Sequence, residues 1–297
     1  TQSRSSAASD VYKRQILDCA HGATYRVAPE LFRRLGARVS ILHAEPDGQN
    51  INQGCGSEHP QIIRQAVLKA RADAGLAFDG DGDRLVMVDE RGALLDGDDI
   101  LYILARDLHD RGQLRHATVV GTVMTNLGLE RSLEAMGIRL ERVPVGDRHI
   151  ARRMLEGDFV LGGETSGHVV LFGEGGTTGD GLYTAIKVLG VAVRTRLRLS
   201  ALTTGLRKWP QVVINVPVAS QPPLESLPAV QQAQAYVEER AGGSLRIVLR
   251  YSGTQPLLRV MVEGEEEEQA RWAAGLLAET AQRAIEEARG GPSAAES

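Results

Sequence analysis

Ala74-Gly75-Leu76-Ala77-Phe78-Asp79-Gly80-Asp81-Gly82-Asp83-Arg84-Leu85-Val86-Met87-Val88 consists of two apolar runs joined by an acidic, glycine-spaced hexapeptide. Each run is too short for a stable helix and reads as a strand, so the hexapeptide is a tight connection between strands. Side chains at alternate positions of an extended segment point the same way, which lets Asp79, Asp81 and Asp83 converge. Three like charges at one point repel unless a cation sits among them. Oxygen-only donors without His or Cys favour a hard ion such as Mg²⁺ or Ca²⁺ over zinc. Two other readings stand beside this one. An EF-hand also begins Asp-x-Asp-x-Asp and Glu90 falls at its twelfth position, but its sixth position should be Gly and is Arg84, and the flanks are strand-like. A polar turn whose aspartates merely satisfy nearby backbone is the other.

Upstream of this stretch the pattern is strand, helix, strand, helix, strand. Ile16 to Cys19 reads as a strand, Val27 to Leu35 as a helix with Pro29 in its first turn, Arg38 to His43 as a strand and Pro60 to Ala72 as a helix. That rhythm predicts a parallel, doubly wound α/β sheet with the acidic loop at the carboxyl end of a strand, where such folds place ligands. Downstream, Leu85 to Asp89 continues as a strand, and Asp98 or Asp99 is expected to cap a helix reaching Arg111. A second unit of the same build follows: strand Ala117 to Gly121, helix Leu127 to Met136, strand Ile138 to Val143, helix Asp147 to Leu155 and strand Phe159 to Gly162. Helices over Leu182 to Val193 and Ser200 to Leu206 complete it. After Trp209-Pro210 the pattern changes to strand, helix, strand, strand, helix, a small α+β arrangement. The expected domains are thus 16–115, 116–208 and 209–289, two successive three-layer α/β domains and an α+β C-terminal domain. Residues 1–15 form an unmatched, foreign-looking lead, and 290–297 a small, polar, disordered tail.

Two further loops carry chemistry. Gly162-Gly163-Glu164-Thr165-Ser166-Gly167-His168 joins two apolar runs and presents a carboxylate, a hydroxyl and an imidazole. A carboxylate accepts from two adjacent hydroxyls, so Glu164, Ser166 and His168 suit a polyol; a glycine-rich polar turn is the plainer alternative. No GxSxG and no third partner supports a hydrolase triad of Ser166 and His168. Arg250-Tyr251-Ser252-Gly253-Thr254-Gln255-Pro256, with Arg259 beyond, offers hydroxyls, guanidinium groups and open amides around glycine, which suit a phosphate monoester better than a plain hairpin turn does. The Gly-rich stretch from Gly173 to Gly181 matches neither a phosphate-binding P-loop nor a dinucleotide fingerprint.

The whole chain sets wider bounds. Over 297 residues, 34 Lys+Arg stand against 38 Asp+Glu, a formal charge of -4 that gives no general attraction to nucleic acid or anionic membrane. Phosphate recognition is therefore expected to be local. Cys19 and Cys55 are the only cysteines, which excludes a disulfide framework and fits a reducing compartment. No apolar run approaches the roughly 18 residues needed to span a bilayer, and residues 1–15 have no apolar centre of a signal peptide. The expectation is a cytoplasmic chain with neither nucleic acid nor membrane as partner.

Taken together, DGDGDR, GGETSGH and RYSGTQPLLR, in this order and spacing, resemble the α-D-phosphohexomutases from about residue 16 to 289. Asp18-Cys19-Ala20-His21-Gly22-Ala23, Asn50-Ile51-Asn52 with Gly54-Cys55-Gly56-Ser57, Val145-Gly146-Asp147-Arg148 and Thr178-Gly179-Asp180-Gly181 narrow it to members that act on glucosamine phosphate. The resemblance implies Mg²⁺ held by Asp79, Asp81 and Asp83, and Arg84 supporting the phosphoryl site. It also implies sugar hydroxyls on Glu164 and Ser166, and the non-reacting phosphate on Arg250, Ser252, Gly253, Thr254 and Arg259. His168 is a candidate acid or base by position. The implied reaction interconverts glucosamine 6-phosphate and glucosamine 1-phosphate through a bisphosphate, a step towards cell-wall amino-sugar precursors; mannose or glucose phosphate is the alternative substrate. The family's phosphorylated serine lies in a Ser-His-Asn-Pro loop that these 297 residues do not contain. The expectation is three of four domains that bind but do not turn over; a sugar-phosphate-binding remnant is the non-enzymatic alternative. Gln255, His149 and His21 stand where the family more often has Glu, Tyr and Asn.

Overall fold

A computed structural model of the chain describes residues 14–173, 176–252 and 255–289. The expectations that rest on residues 1–13, on Gly253 and Thr254 and on the tail lie outside the described residues. The described residues divide into two compact units, 14–125 with 129–207, and 126–128 with 208–289.

The first unit opens with β1 (Arg14–Asp18), α1 (Val27–Arg34), β2 (Arg38–Leu42), α2 (Pro60–Ala70), β3 (Ala74–Phe78), β4 (Leu85–Val88), β5 (Leu94–Leu95) and α3 (Gly97–Asp110). Their sheet has the order β2-β1-β3-β4-β5. β3 is buried at every residue, as befits a central strand covered on both faces, whereas edge strand β2 has no buried residue. β1 pairs in parallel with β2 and β3, but β3 and β4 run antiparallel with Phe78 opposite Leu85. The sheet is therefore mixed where a parallel one was expected. A six-residue connection has no room for a crossover and must return antiparallel.

The same plan recurs with β6 (Thr118–Thr122), α4 (Leu127–Glu134), β7 (Arg139–Val143), α5 (Asp147–Gly157), β8 (Leu161–Gly163) and β9 (Val169–Leu171). The order is β7-β6-β8-β9, parallel except for the final β8–β9 hairpin. Each sheet thus carries an antiparallel hairpin, β3–β4 tipped by the acidic loop and β8–β9 by Glu164 to His168. α6 (Gly181–Thr195) and the short α7 (Leu199–Leu202) close the unit; α7 ends well before the expected Leu206.

One hydrophobic core joins the two sheets, running from Leu17, Phe32 and Phe78 through Ile100, Leu101 and Ile103 to Leu161, Val188 and Leu202. Its centre is α3, buried continuously from Gly97 to Ala105. α3 packs on α6 and β8, and α6 packs on β4 and β9, so each sheet shares its helices with the other. The cap of α3 is Asp96, where Asp98 or Asp99 was expected. Its carboxylate accepts from the Asp98 and Asp99 N–H groups, and Asp99 returns a bond to the Asp96 N–H.

The second unit carries β10 (Gln211–Pro217), α8 (Pro228–Ala241), β11 (Leu245–Tyr251), β12 (Leu257–Gly264) and α9 (Glu267–Arg289). Its antiparallel sheet, β10-β12-β11, is backed by α9, whose Ala270, Ala273, Ala274, Leu277 and Ala281 repeat at helical spacing and are buried. This is the expected α+β arrangement.

Candidate functional site

The acidic loop occupies the six residues between β3 and β4. Ligand-capable oxygens of Asp79, Asp81 and Asp83 all lie within 4.8 Å of one another, brought together by a bent loop in which Gly82 has φ +80°, where the sequence pattern predicts an extended one. Burial decreases along the set: Asp79 is buried, Asp83 intermediate and Asp81 exposed. Asp79 Oδ1 accepts the Arg84 N–H at 3.0 Å, and Arg84 Nε stands 3.9 Å from Asp79 and 4.0 Å from Asp83. Burial, and then the neighbouring Asp81 and Asp83, push the Asp79 carboxyl up from 3.8 to about 7 against the lowering bond from the Arg84 N–H. Asp83 Oδ1 is buried without a hydrogen-bond partner. An oxygen-only set with crowded carboxylates and an unpartnered buried oxygen fits a hard divalent cation.

Surrounding backbone holds this loop in place. The Ala23 N–H donates to Gly80 O at 2.7 Å, and a Cβ on Gly22 would overlap the Gly80 backbone. From the other side the Gly181 N–H, at the start of α6, donates to Gly82 O at 2.9 Å. Asp180 caps α6 by accepting from the Tyr183 N–H. The run Thr178-Gly179-Asp180-Gly181 thus ends against the acidic loop.

The β8–β9 loop docks on the same place. The Leu85 N–H donates to Gly167 O at 3.1 Å, and Arg84 and His168 form an isolated antiparallel bridge. Gly167 has φ +95°, and a side chain there would overlap Leu85 O, so glycine is required twice over. At the tip, Glu164 Oε1 accepts the Gly146 N–H at 2.9 Å and Oε2 accepts the Ser166 hydroxyl at 3.2 Å, with Ser166 exposed. Glu164 and Ser166 are therefore side by side, with the Val145 to Arg148 run behind them.

His168 is placed differently from the sequence reading, which gave it to the sugar. Its residue is 4 % exposed, its ring lies under Gly179, and Nδ1 is 3.0 Å from Asp83 Oδ2. It faces the carboxylate set, whereas Glu164 is half-buried and Ser166 exposed. Sequence reasoning missed this pairing, for which the 85-residue separation gives no local signal.

In the second unit Arg250 and Arg259 are direct partners across the β11–β12 ladder. Like charges directly opposite are unfavourable unless an anion lies between them. The Arg259 Nε is buried with no hydrogen-bond partner. Ser252 is buried and its N–H donates to Leu257 O at 2.8 Å, closing the hairpin.

Three descriptions of one family match the chain in succession. They are the phosphoglucomutase/phosphomannomutase α/β/α domain II over residues 4–92, α/β/α domain III over 96–208 and the C-terminal domain over 213–279. The first match starts ahead of residue 16. Phosphoglucosamine mutase of Pseudomonas fluorescens (strain Pf0-1) is 53% identical over 267 residues, covering 89% of this chain and 59% of the relative. That of Chlamydia trachomatis serovar D is 52% identical over 256 residues, covering 86% and 56%. The chain therefore spans less than two thirds of the length of these relatives. Among solved structures, a phosphoglucomutase/phosphomannomutase family protein from Burkholderia thailandensis superposes with TM-score 0.73 at 23% identity, covering 96% of this chain and 63% of the other. Aspergillus fumigatus N-acetylphosphoglucosamine mutase, solved with GlcNAc-6P and magnesium, superposes with TM-score 0.74 at 18% identity, covering 93% and 68%. These likenesses, too distant in sequence to inform on substrate, agree in fold with the domain matches. With three consecutive domains matched in order and about half the residues shared with its relatives, the chain belongs to the phosphoglucomutase/phosphomannomutase family of α-D-phosphohexomutases.

Proposed function

We propose that the chain is the metal-, sugar- and phosphate-binding part of a phosphoglucosamine mutase, interconverting glucosamine 6-phosphate and glucosamine 1-phosphate. The observation that carries the reading is the convergence of Asp79, Asp81 and Asp83 within 4.8 Å on a hairpin tip bonded to the Glu164 to His168 loop. In this reading the three aspartates hold Mg²⁺, which when bound neutralises charge on the phosphoryl oxygens. Arg84 sits beside the carboxylates and adds a guanidinium to the same task. Glu164 and Ser166 orient the sugar through its hydroxyls. Arg250, Ser252, Gly253, Thr254 and Arg259 grip the phosphate that is not transferred, so that binding far from the reacting bond aligns it. The substrate assignment is supported by the glucosamine-specific names of relatives at about half identity.

The purified 297-residue chain with Mg²⁺ is expected to bind glucosamine 6-phosphate more tightly than mannose 6-phosphate, measured by calorimetry, and to show no interconversion by itself. Glu164→Gln is expected to weaken binding about tenfold, the loss of one hydrogen bond to a charged acceptor. A preference for mannose phosphate would overturn the substrate, and turnover by the chain alone would overturn the expected inactivity.

A pH dependence follows from Asp79. Its folded-state pKa, about 7, lies above the ordinary 3.8, so its contribution to stability is fully present below 3.8 and is lost as pH rises through about 7. A bound cation reverses that penalty. Mg²⁺ is therefore expected to raise the melting temperature more at pH 8 than at pH 5, read by thermal unfolding at the two values.

A further inference from the structure

A second cluster of potential ligands stands apart from the acidic loop and is chemically unlike it. Among the described residues, Asp18, His43 and Cys55 also place ligand atoms within 4.8 Å of one another. The fold assembles them from three segments. Asp18 ends β1, and its parallel partner in the ladder is Leu42, so His43, the next residue, emerges beside it. Cys55 arrives on the following loop, which is tied back by the Asn52 N–H donating to Ala20 O at 3.0 Å.

The three groups are held and nearly enclosed. Asp18 and Cys55 are fully buried, and the His43 side chain, 27% exposed, is the opening to solvent. Asp18 Oδ1 accepts the Ala20 N–H at 3.0 Å, while Oδ2 lies 2.9 Å from His43 Nδ1. The mechanism proposed above uses none of these side chains. A carboxylate, an imidazole and a thiol within one small volume offer one oxygen, one nitrogen and one sulfur donor. That mixed set suits a borderline divalent ion of the zinc class and is ill-suited to Mg²⁺, whereas the acidic loop offers oxygen alone.

We propose that Asp18, His43 and Cys55 form a second cation site that takes a zinc-class ion. On binding, Cys55 loses its S–H proton to solvent and ligates as thiolate, His43 ligates as neutral imidazole, and Asp18 supplies a carboxylate oxygen. Water reaching the site past His43 completes four ligands. The ion would also fasten the support of the acidic loop. Gly56, next to Cys55, packs so closely on Phe78 O that a Cβ there would overlap it, and Phe78 immediately precedes Asp79.

Cobalt(II) is the probe. It is titrated into the reduced 297-residue chain with Mg²⁺ in excess. The expected result is one cobalt per chain with a thiolate-to-cobalt charge-transfer band that Cys55→Ser abolishes. Cys19→Ser is expected to retain the band, because the Cys19 thiol lies outside the cluster. His43→Ala, at the half-open position, is expected to weaken cobalt binding at least about tenfold. Absence of the band in the unaltered chain, or its survival in folded Cys55→Ser, overturns the proposal. Should Cys55→Ser fail to fold, unchanged affinity in His43→Ala overturns it and a tenfold loss sustains it.

Discussion

Gly22→Ala is expected to destabilise the first unit by about 1–3 kcal/mol, the usual cost of forcing extra atoms into a packed site. The added Cβ would land on the oxygen, Cα and carbonyl carbon of Gly80, all backbone, so no flexible side chain can turn aside to admit it. Relief has to come from moving one of two segments that are bonded together by the Ala23 N–H and Gly80 O. Gly80 lies between Asp79 and Asp81, so the displacement also spreads the carboxylates, and cation affinity should fall together with stability. Thermal unfolding and a magnesium titration of the same variant check this. Native stability would show that the strand-end turn at Gly22 is free to retreat, and that the acidic loop is not shaped by it.

His168→Ala is expected to weaken magnesium binding by about 10–100-fold, the typical effect of removing a group that orients a ligand. The ring is buried against Gly179, and its Nδ1 is 3.0 Å from Asp83 Oδ2, while the other oxygen of Asp83 is left without a hydrogen-bond partner. Without the imidazole, Asp83 is free to rotate away from Asp79 and Asp81. Packing loss alone would lower stability without such a selective effect, so His168→Asn separates the two roles. Its amide nitrogen can take the place of Nδ1 and should recover much of the affinity despite the smaller volume. Equal losses in the Ala and Asn variants would mean that His168 fills space and does not orient Asp83.

Much of this arrangement was legible because the sequence writes it locally. The buried run Ala74 to Phe78 and the alternation of Asp79, Asp81 and Asp83 give a strand and a convergent loop with no knowledge of distant contacts. The repeat of helix and strand spacing likewise anticipates two sheets of one plan. What the sequence hid depends on which distant surfaces meet. Asp96 outcompetes Asp98 as the cap because Asp98 is turned to accept from the Thr165 hydroxyl at 3.1 Å, a partner 67 residues away. α3 is buried from Gly97 to Ala105 because the second sheet's β8 and helix α6 cover its outer face, a burial that its polar ends do not signal. His168 was assigned by its neighbours in sequence, Glu164 and Ser166, whereas the bridge between Arg84 and His168 places it with the carboxylates. β5, with only Leu94 and Leu95, is too short to carry a periodic signal and exists by pairing with β4.

The central claim is that the carboxylates of the DGDGDR hairpin hold one divalent cation, and a calorimetric magnesium titration of the 297-residue chain against Asp81→Asn tests it most directly. Asp81 is the exposed member of the set, so its amide variant leaves the fold intact while removing one charged oxygen donor. The predicted result is one Mg²⁺ per unaltered chain and affinity at least about tenfold weaker in the variant. Equal affinity in the two proteins, or no magnesium binding by the unaltered chain, would contradict it.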